Sequence, residues 1–304
     1  MSIINKEIKV NNVNIAYQLH GSSGVPVILL VHGLSTPLTG WPSEMISALV
    51  EQGFAVLLMD NRDMGQSESL DHLPIPNLVW TLIKIKFGFK VKPPYQLEDM
   101  MRDSLALLDA LAIKKVHWVG ASMGGMIGQL MAIHHPDRLL SLTSIMSTTG
   151  DKKLPPIDPT INKAIMKKPS SQSYNDRLHY HVNKWRAIRS PQYPMSEAAL
   201  TRRVTLLLDR GISSKGTLRQ LLAILVAPER TSSLKLVTTP TLVIHGDSDG
   251  LVHFKGGEAT AKAIPQAKLK IYKGMGHDLP VELISSIVSD IVEHAQAVES
   301  YYAS

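Results

Sequence analysis

Three points of the chain carry residue types that could together perform acyl transfer: Ser122 in "GASMGG", the aspartates of "GDSDG" and His277 in "GMGHDLP". A serine hydroxyl is a poor nucleophile, because its pKa lies far above neutrality. It attacks a carbonyl only where a base takes its proton and a third group orients that base. Gly120-Ala121-Ser122-Met123-Gly124 fits G-x-S-x-G. Gly120 and Gly124 would let a strand and a helix approach without Cβ clashes while the hydroxyl stands at the tip of a sharp turn. The N–H of Met123 would then face a developing oxyanion at the helix N-terminus. The pattern alone is weak, since an inert Gly/Ser turn has the same letters.

The flanks favour chemistry. Val116 to Val119 is a short β-rich run, and Met126, Ile127, Leu130, Met131 and Ile133 recur at helical spacing until Pro136. The chain reads strand, tight turn, helix. A base should lie in the loop after the last strand, and His277 stands there, behind two glycines and before a closing helix. Of twelve histidines it alone combines this position and setting. His134 and His135 read as the end of the elbow helix, His117 as a packed strand residue, and His245 and His253 as organisers of the acid loop. An acid should follow a late strand, and "TLVIHGDSDGLV" offers Asp247 and Asp249. A polar turn is the plain alternative for Asp-Ser-Asp-Gly. The second oxyanion donor should come from the loop after the third strand, "VHGLSTPLTGW". There Gly33 turns the backbone, Leu34 N–H is the donor, and His32 orders the loop.

The elements that must position these residues alternate. "EIKV" and "VNIAYQLHG" open as strands, and "VPVILLVHG" and "FAVLLMD" are buried strands separated by a helix from Pro42 to Gln52. A helix from Leu97 to Leu111 leads into the strand before Ser122, and "LLSLTSIMS" follows the elbow helix. "TPTLVIHGD", "AKLKIYKGMG" and a helix from Pro280 to about Val298 close the chain. Continuous apolar strands between helices indicate an α/β fold with a mostly parallel sheet covered on both faces. Thr148 to Thr239 breaks the alternation, with helical patterns near Tyr174–Ile188, Met195–Asp209 and Thr217–Val226. It is far longer than a crossover needs. We read residues 1–147 and 240–304 as the core and 148–239 as an inserted helical cap over the C-terminal sheet edge, where such sheets carry their sites. Residues 70–96 form a second candidate lid segment.

Composition narrows the class. Hydrophobic content of 44% and charged content of 19% describe a soluble globular chain. With no cysteine, disulfides, thiol nucleophiles and Cys-ligated metals are excluded. Apolar runs are too short to span a bilayer, and "MSIINKEIKV" lacks a signal-peptide core, so cytoplasmic residence is expected. Part of the net charge of +6 is concentrated in Lys84, Lys86, Lys90 and Lys92, interleaved with Ile83, Ile85, Phe87, Phe89 and Val91. A nucleic-acid or membrane patch and a solvated amphipathic segment covering something apolar are the two readings. The second is preferred, because no nucleic-acid motif accompanies the charge; neither nucleic acid nor membrane is expected as a partner. Oligomeric state is not legible.

"LLVHG", "LMDNRDMGQS", "GASMGGM", "LVIHGDSDGLV" and "GMGHDLP" make the chain resemble an α/β-hydrolase over nearly its whole length. Asp60 to Ser67 is similar to the D-x-R-G-x-G-x-S turn of these enzymes, with Asp63 in place of the first glycine. "NRDMGQS" and "GASMGGMIGQ" most resemble the aclacinomycin methylesterase-like group. That likeness implies hydrolysis of a small carboxylic ester by Ser122, His277 and Asp249, with no metal and no organic cofactor. It does not specify the ester. Other serine chemistries of the fold stay open (carbon–carbon bond hydrolase, perhydrolase, aminopeptidase), as do a lipase with an interfacial lid and an idle fold serving as a ligand receptor. In the cap, Tyr174, Leu178, His181 and Trp185 fall on one helix face. That face either glues the cap to the body or roofs a substrate pocket.

Overall fold

In the computed structural model the structure describes residues 5–75 and 77–303. Met1–Ile4, Pro76 and Ser304, the outermost parts of the expected core and one residue of the 70–96 segment, lie outside the described residues. The strands are β1 (Lys6–Val10), β2 (Val13–His20), β3 (Val27–Val31), β4 (Ala55–Met59), β5 (Val116–Ala121), β6 (Leu139–Ile145), β7 (Thr241–Gly246) and β8 (Lys268–Tyr272). They form one sheet in the order β1-β2-β4-β3-β5-β6-β7-β8. The pairs β1/β2 and β2/β4 are antiparallel and the rest parallel. The helices are α1 (Ser43–Glu51), α2 (Leu78–Lys86), α3 (Leu97–Ala110), α4 (Met123–His134), α5 (Pro159–Ile165), α6 (Tyr174–Ile188), α7 (Glu197–Gly211), α8 (Ser214–Val226), α9 (Thr231–Leu234), α10 (Lys255–Ala263) and α11 (Val281–Ala303).

Alternation along the buried strands explains the layers. Leu29, Val31, Leu57, Met59 and Trp118 point into one core with α3 and α4. Ile28, Leu30, Val56, Leu58, Val119 and Ile244 point into the other with α1 and α11. A period of two sends neighbours to opposite faces, and both faces are covered at the centre of the sheet, so β3 and β4 are apolar throughout.

Residues between β6 and β7 contain helices α5 to α9 and no strand. Met64, Val182, Trp185, Ile188, Leu200, Val204 and Leu207 build a third apolar cluster, in which α6 packs on α7. The segment is not wholly self-contained, because Ala223 of α8 and Leu234 of α9 join the core beneath α3 and α4.

The turn after β4 fastens this helical segment to the sheet. Arg62 forks onto the Asp103 carboxylate of α3, both N–O distances being 2.6 Å. Asp60 accepts from Arg210 of α7 at 2.9 Å. Asp63 accepts two bonds from Arg219 of α8, at 2.7 and 2.6 Å, and both side chains are fully buried. Asp63 has φ +68°, the left-handed region that suits the glycine of the resembled turn. An aspartate is retained there because its carboxylate also accepts from Leu70 N–H at 2.7 Å.

Two stability predictions follow from this packing. Asp63→Gly relaxes the backbone but strands a buried guanidinium, which we expect to destabilise the fold by about 3–5 kcal/mol. A neutral or stabilising result in urea unfolding would mean that conformation alone governs the position. Trp185→Ala removes a ring packed between α6 and α7, with the Arg203 guanidinium 4.7 Å from its centroid. A loss of about 3–5 kcal/mol is expected, read from the same unfolding midpoint.

Candidate active site

Ser122 sits between β5 and α4 with φ 55° and ψ −116°. This backbone conformation is strained for an L-residue and is found where the surroundings over-determine it. The surroundings here are glycines. A side chain at Gly124 would run into the Val31 carbonyl, and one at Gly120 into the Gly124 carbonyl. The first turn of α4 can therefore lie directly against the ends of β3 and β5. Ser147 Oγ adds a bond to the Ser122 carbonyl at 2.8 Å.

Asp249 and His277 arrive from the loops after β7 and β8. His277 Nε2 lies 3.1 Å from Ser122 Oγ, and its Nδ1 lies 2.6 Å from Asp249 Oδ2. With the proton on Nδ1, the imidazole donates to the carboxylate and accepts from the hydroxyl. Asp249 is fixed on its other oxygen, which accepts from Leu251 and Val252 N–H, both at 2.9 Å. Buried His245 stands 3.3 Å from Asp249 Oδ2 and 2.8 Å from the Val252 carbonyl. Burial alone would push the Asp249 carboxyl up. The His277 charge and the hydrogen bonds from His245 and His277 outweigh burial and hold it below the usual carboxylate range. It is an ionised group hydrogen-bonded to the His277 imidazole.

Asp247 does different work. Its Oδ1 accepts from Gly274 N–H at 2.6 Å and Ser248 Oγ at 2.9 Å, so it ties the β7 turn to the β8 turn.

The loop after β3 abuts the nucleophile. A Cβ added to Gly33 would lie 2.9 Å from Ser122 Cβ and 3.3 Å from its Oγ. Gly33, and with it the start of the Leu34 loop, therefore lies directly against Ser122. His32 takes no part in the relay: its Nδ1 accepts from Gly33 N–H at 2.7 Å, and its ring lies 5.0 Å from that of Trp41. Burial, helped by the Arg203 charge, pushes its pKa down to about 3. The neutral ring packs within the loop.

Of the proposed pocket face, Leu178 and Trp185 pack in the α6–α7 cluster. Tyr174 is exposed and donates to Asp209 Oδ1 at 2.8 Å. His181 is buried edge-on to Tyr180, with burial and then the Lys184 and Arg177 charges pushing its pKa down to about 4. Leu178 and Trp185 share their cluster with Met64 of the turn after β4, so this face packs partly against the body.

One part of the site escaped sequence reasoning. The end of α6 grips the His277 loop: Ile188 O accepts from His277 N–H at 2.8 Å, and Ser190 Oγ accepts from Gly276 N–H at 2.8 Å. Ser190 in turn donates both its N–H, at 2.8 Å, and its hydroxyl to the buried Asp278 carboxylate. The only signal in the sequence was a second acid directly after the histidine. No group of three or more His, Cys, Asp or Glu side chains among the described residues is arranged to hold a metal ion.

The assembled groups can move a proton from a hydroxyl to an imidazole, and so equip Ser122 to attack an electrophilic carbon. Comparison with known proteins agrees with this architecture. The family described as the alpha/beta hydrolase fold matches residues 26–282. Rhodomycin D methylesterase DnrP of Streptomyces peucetius is 27% identical over 89% of this chain and 91% of its own. A 2-hydroxy-6-oxononadienedioate/2-hydroxy-6-oxononatrienedioate hydrolase of Klebsiella pneumoniae is 24% identical over 84% and 81%. A hydrolase from Pseudomonas aeruginosa superposes with a TM-score of 0.72 over 97% of this chain and 99% of that one, at 21% identity. The chain belongs to the α/β-hydrolase fold family and is a hydrolase.

Proposed function

We propose that this hydrolase cleaves small carboxylic esters through a Ser122–His277–Asp249 triad and a covalent acyl-enzyme. The observation that carries the reading is the continuous hydrogen-bonded series Ser122 Oγ, His277 imidazole, Asp249 carboxylate at a strained strand-to-helix turn. His277 Nε2 takes the Ser122 proton as Oγ bonds to the ester carbonyl carbon. Asp249 holds the Nδ1 proton and stabilises the imidazolium. The negative oxygen is received by Leu34 and Met123 N–H, each such donor being worth about 10²–10³ in rate. His277 then protonates the departing alcohol, and water repeats the cycle on the acyl-enzyme.

The name of the Streptomyces relative makes a methyl ester the first substrate class to test. The helical segment 148–239 acts as the cap of the site through the α6 grip on the His277 loop. The Klebsiella relative's name keeps a dienedioate substrate as the competing reading, separated by a panel that includes both.

Two substitutions test the triad. Ser122→Ala should keep the fold and lower p-nitrophenyl acetate turnover by on the order of 10⁶, and a serine-directed phosphonate should label Ser122 alone. Labelling elsewhere, or near-normal turnover, would refute the assignment; an inert wild-type protein would favour a ligand receptor. Asp249→Asn removes the acceptor of the Nδ1 proton and should lower kcat by on the order of 10⁴. Asp247→Asn keeps an acceptor oxygen for Gly274 N–H and should change kcat less than about tenfold. The reverse order of damage would assign the acid to the wrong side of the turn.

A further inference from the structure

The lysine-rich segment turns much of its own apolar surface outward, beyond what a segment that covers the body requires. In α2 the side turned to the body is Thr81, fully buried, with Leu78 and Ile85 half-buried. The side turned to solvent is apolar. Val79, Trp80, Phe87 and Phe89 keep between 63% and 71% of their surface exposed, and Leu82 and Ile83 are exposed as well. On a helical wheel Val79, Trp80 and Ile83 crown the outer face, with Lys84 to one side and Lys86 to the other. The helix therefore carries apolar side chains on its outer face as well as toward the body.

This is a formed surface. Asn77 caps α2 by accepting from Val79 and Trp80 N–H at 3.0 and 3.2 Å. The far end closes on Gly88, φ +77°, with Phe89 N–H donating to the Lys84 carbonyl at 2.9 Å. The helix rests on α8. From Leu73 to Leu97 the sequence contains no Asp or Glu, while Lys84, Lys86, Lys90 and Lys92 are all exposed.

We propose that α2 and the Phe87–Lys92 turn dock the protein on an anionic lipid surface. Aliphatic and aromatic side chains on one outward face, with a tryptophan among them, enter the headgroup and acyl boundary. Lysines beside them have stems long enough to keep their ammonium groups at the phosphate level. A nucleic acid would pair with the lysines and stack on the rings but leaves Val79, Leu82 and Ile83 unmatched. A two-fold contact with a second copy sets the lysine cluster against itself or close to itself, with no acid in the segment to offset it. None of the hydrogen bonds of α2 described above involves Ser122, Asp249 or His277, and vesicle binding is read without ester turnover, so its test stands apart from the ester reading.

Flotation of the full chain with vesicles decides it. The protein should rise with phosphatidylcholine vesicles containing about one third phosphatidylglycerol and stay down with phosphatidylcholine alone. Binding should weaken strongly in about 0.5 M salt, where surface charges are screened. Trp80→Ser with Ile83→Ser, and separately Lys84→Glu with Lys86→Glu, should each lower the bound fraction about tenfold. These side chains are exposed, so melting temperature and p-nitrophenyl acetate turnover should hold. The proposal fails if wild type does not float, if it floats equally with neutral lipid, or if neither double variant changes binding. It also fails if Trp80→Ser with Ile83→Ser dissolves a dimer seen by size-exclusion chromatography, or if the lysine variant abolishes a DNA or RNA mobility shift while flotation persists.

Discussion

Three arginine–aspartate pairs radiate from one turn, and the relation between sheet and helical segment depends on them. Asp60, Arg62 and Asp63 follow β4 directly, and their partners sit on α7, α3 and α8. Burying an ion pair yields little net stability, because desolvation offsets most of the attraction, but breaking one is expensive. What such pairs supply is a geometry with few alternatives. A forked guanidinium fits a carboxylate in one plane. Two forks, Arg62–Asp103 and Arg219–Asp63, hold α3 and α8 at defined positions around a single turn. Gln220, one residue beyond Arg219, then donates to the Arg62 carbonyl at 2.9 Å and accepts from Ser35 N–H at 3.1 Å. The loop that carries Leu34 is thereby set by the same anchor.

A second constraint is close backbone approach at the nucleophile. Gly33, Gly120 and Gly124 each lie where a Cβ would collide with the β3 end, the elbow or its helix. The strain at Ser122 is maintained by these contacts and by the Ser122 N–H bond to Ile145 O at 2.8 Å. The sheet thus supplies rigidity and the loops supply chemistry, the usual division in parallel α/β architectures.

Much of this was legible before any coordinates. Helix α6 matches the 3.6-residue pattern from Tyr174 to Ile188 end to end, and the elbow announces itself through glycine spacing. Local patterns reveal local structure. Asp63 standing where the resembled turn has glycine was visible as an anomaly, but its partner Arg219 lies 156 positions away and no periodicity connects them. Asp278 stands out only as an acid beside His277, and its partner Ser190, 88 positions away, is silent for the same reason. For α2, a helical pattern of apolar and basic residues does not say which face turns inward. That depends on what α8 offers beneath it, and the polar Thr81 won the buried place.

Because His277 is gripped from two directions, the helical segment also sets the position of the loop after β8. From the core, Asp247 accepts from Gly274 N–H, and the Met275 carbonyl accepts from Ser248 N–H at 3.1 Å. From the other side, Ile188 O and Ser190 Oγ hold the N–H groups of His277 and Gly276. The imidazole must stay within hydrogen-bond reach of both Ser122 and Asp249, and a displacement near 1 Å is enough to weaken such chemistry. The ion pairs that seat α7 and α8, and the α6–α7 cluster that seats the end of α6, therefore bear on the histidine although none of them touches it. Substitutions deep in that segment would reach the reaction by letting the β8 loop drift, which separates an effect on rate from an effect on substrate fit.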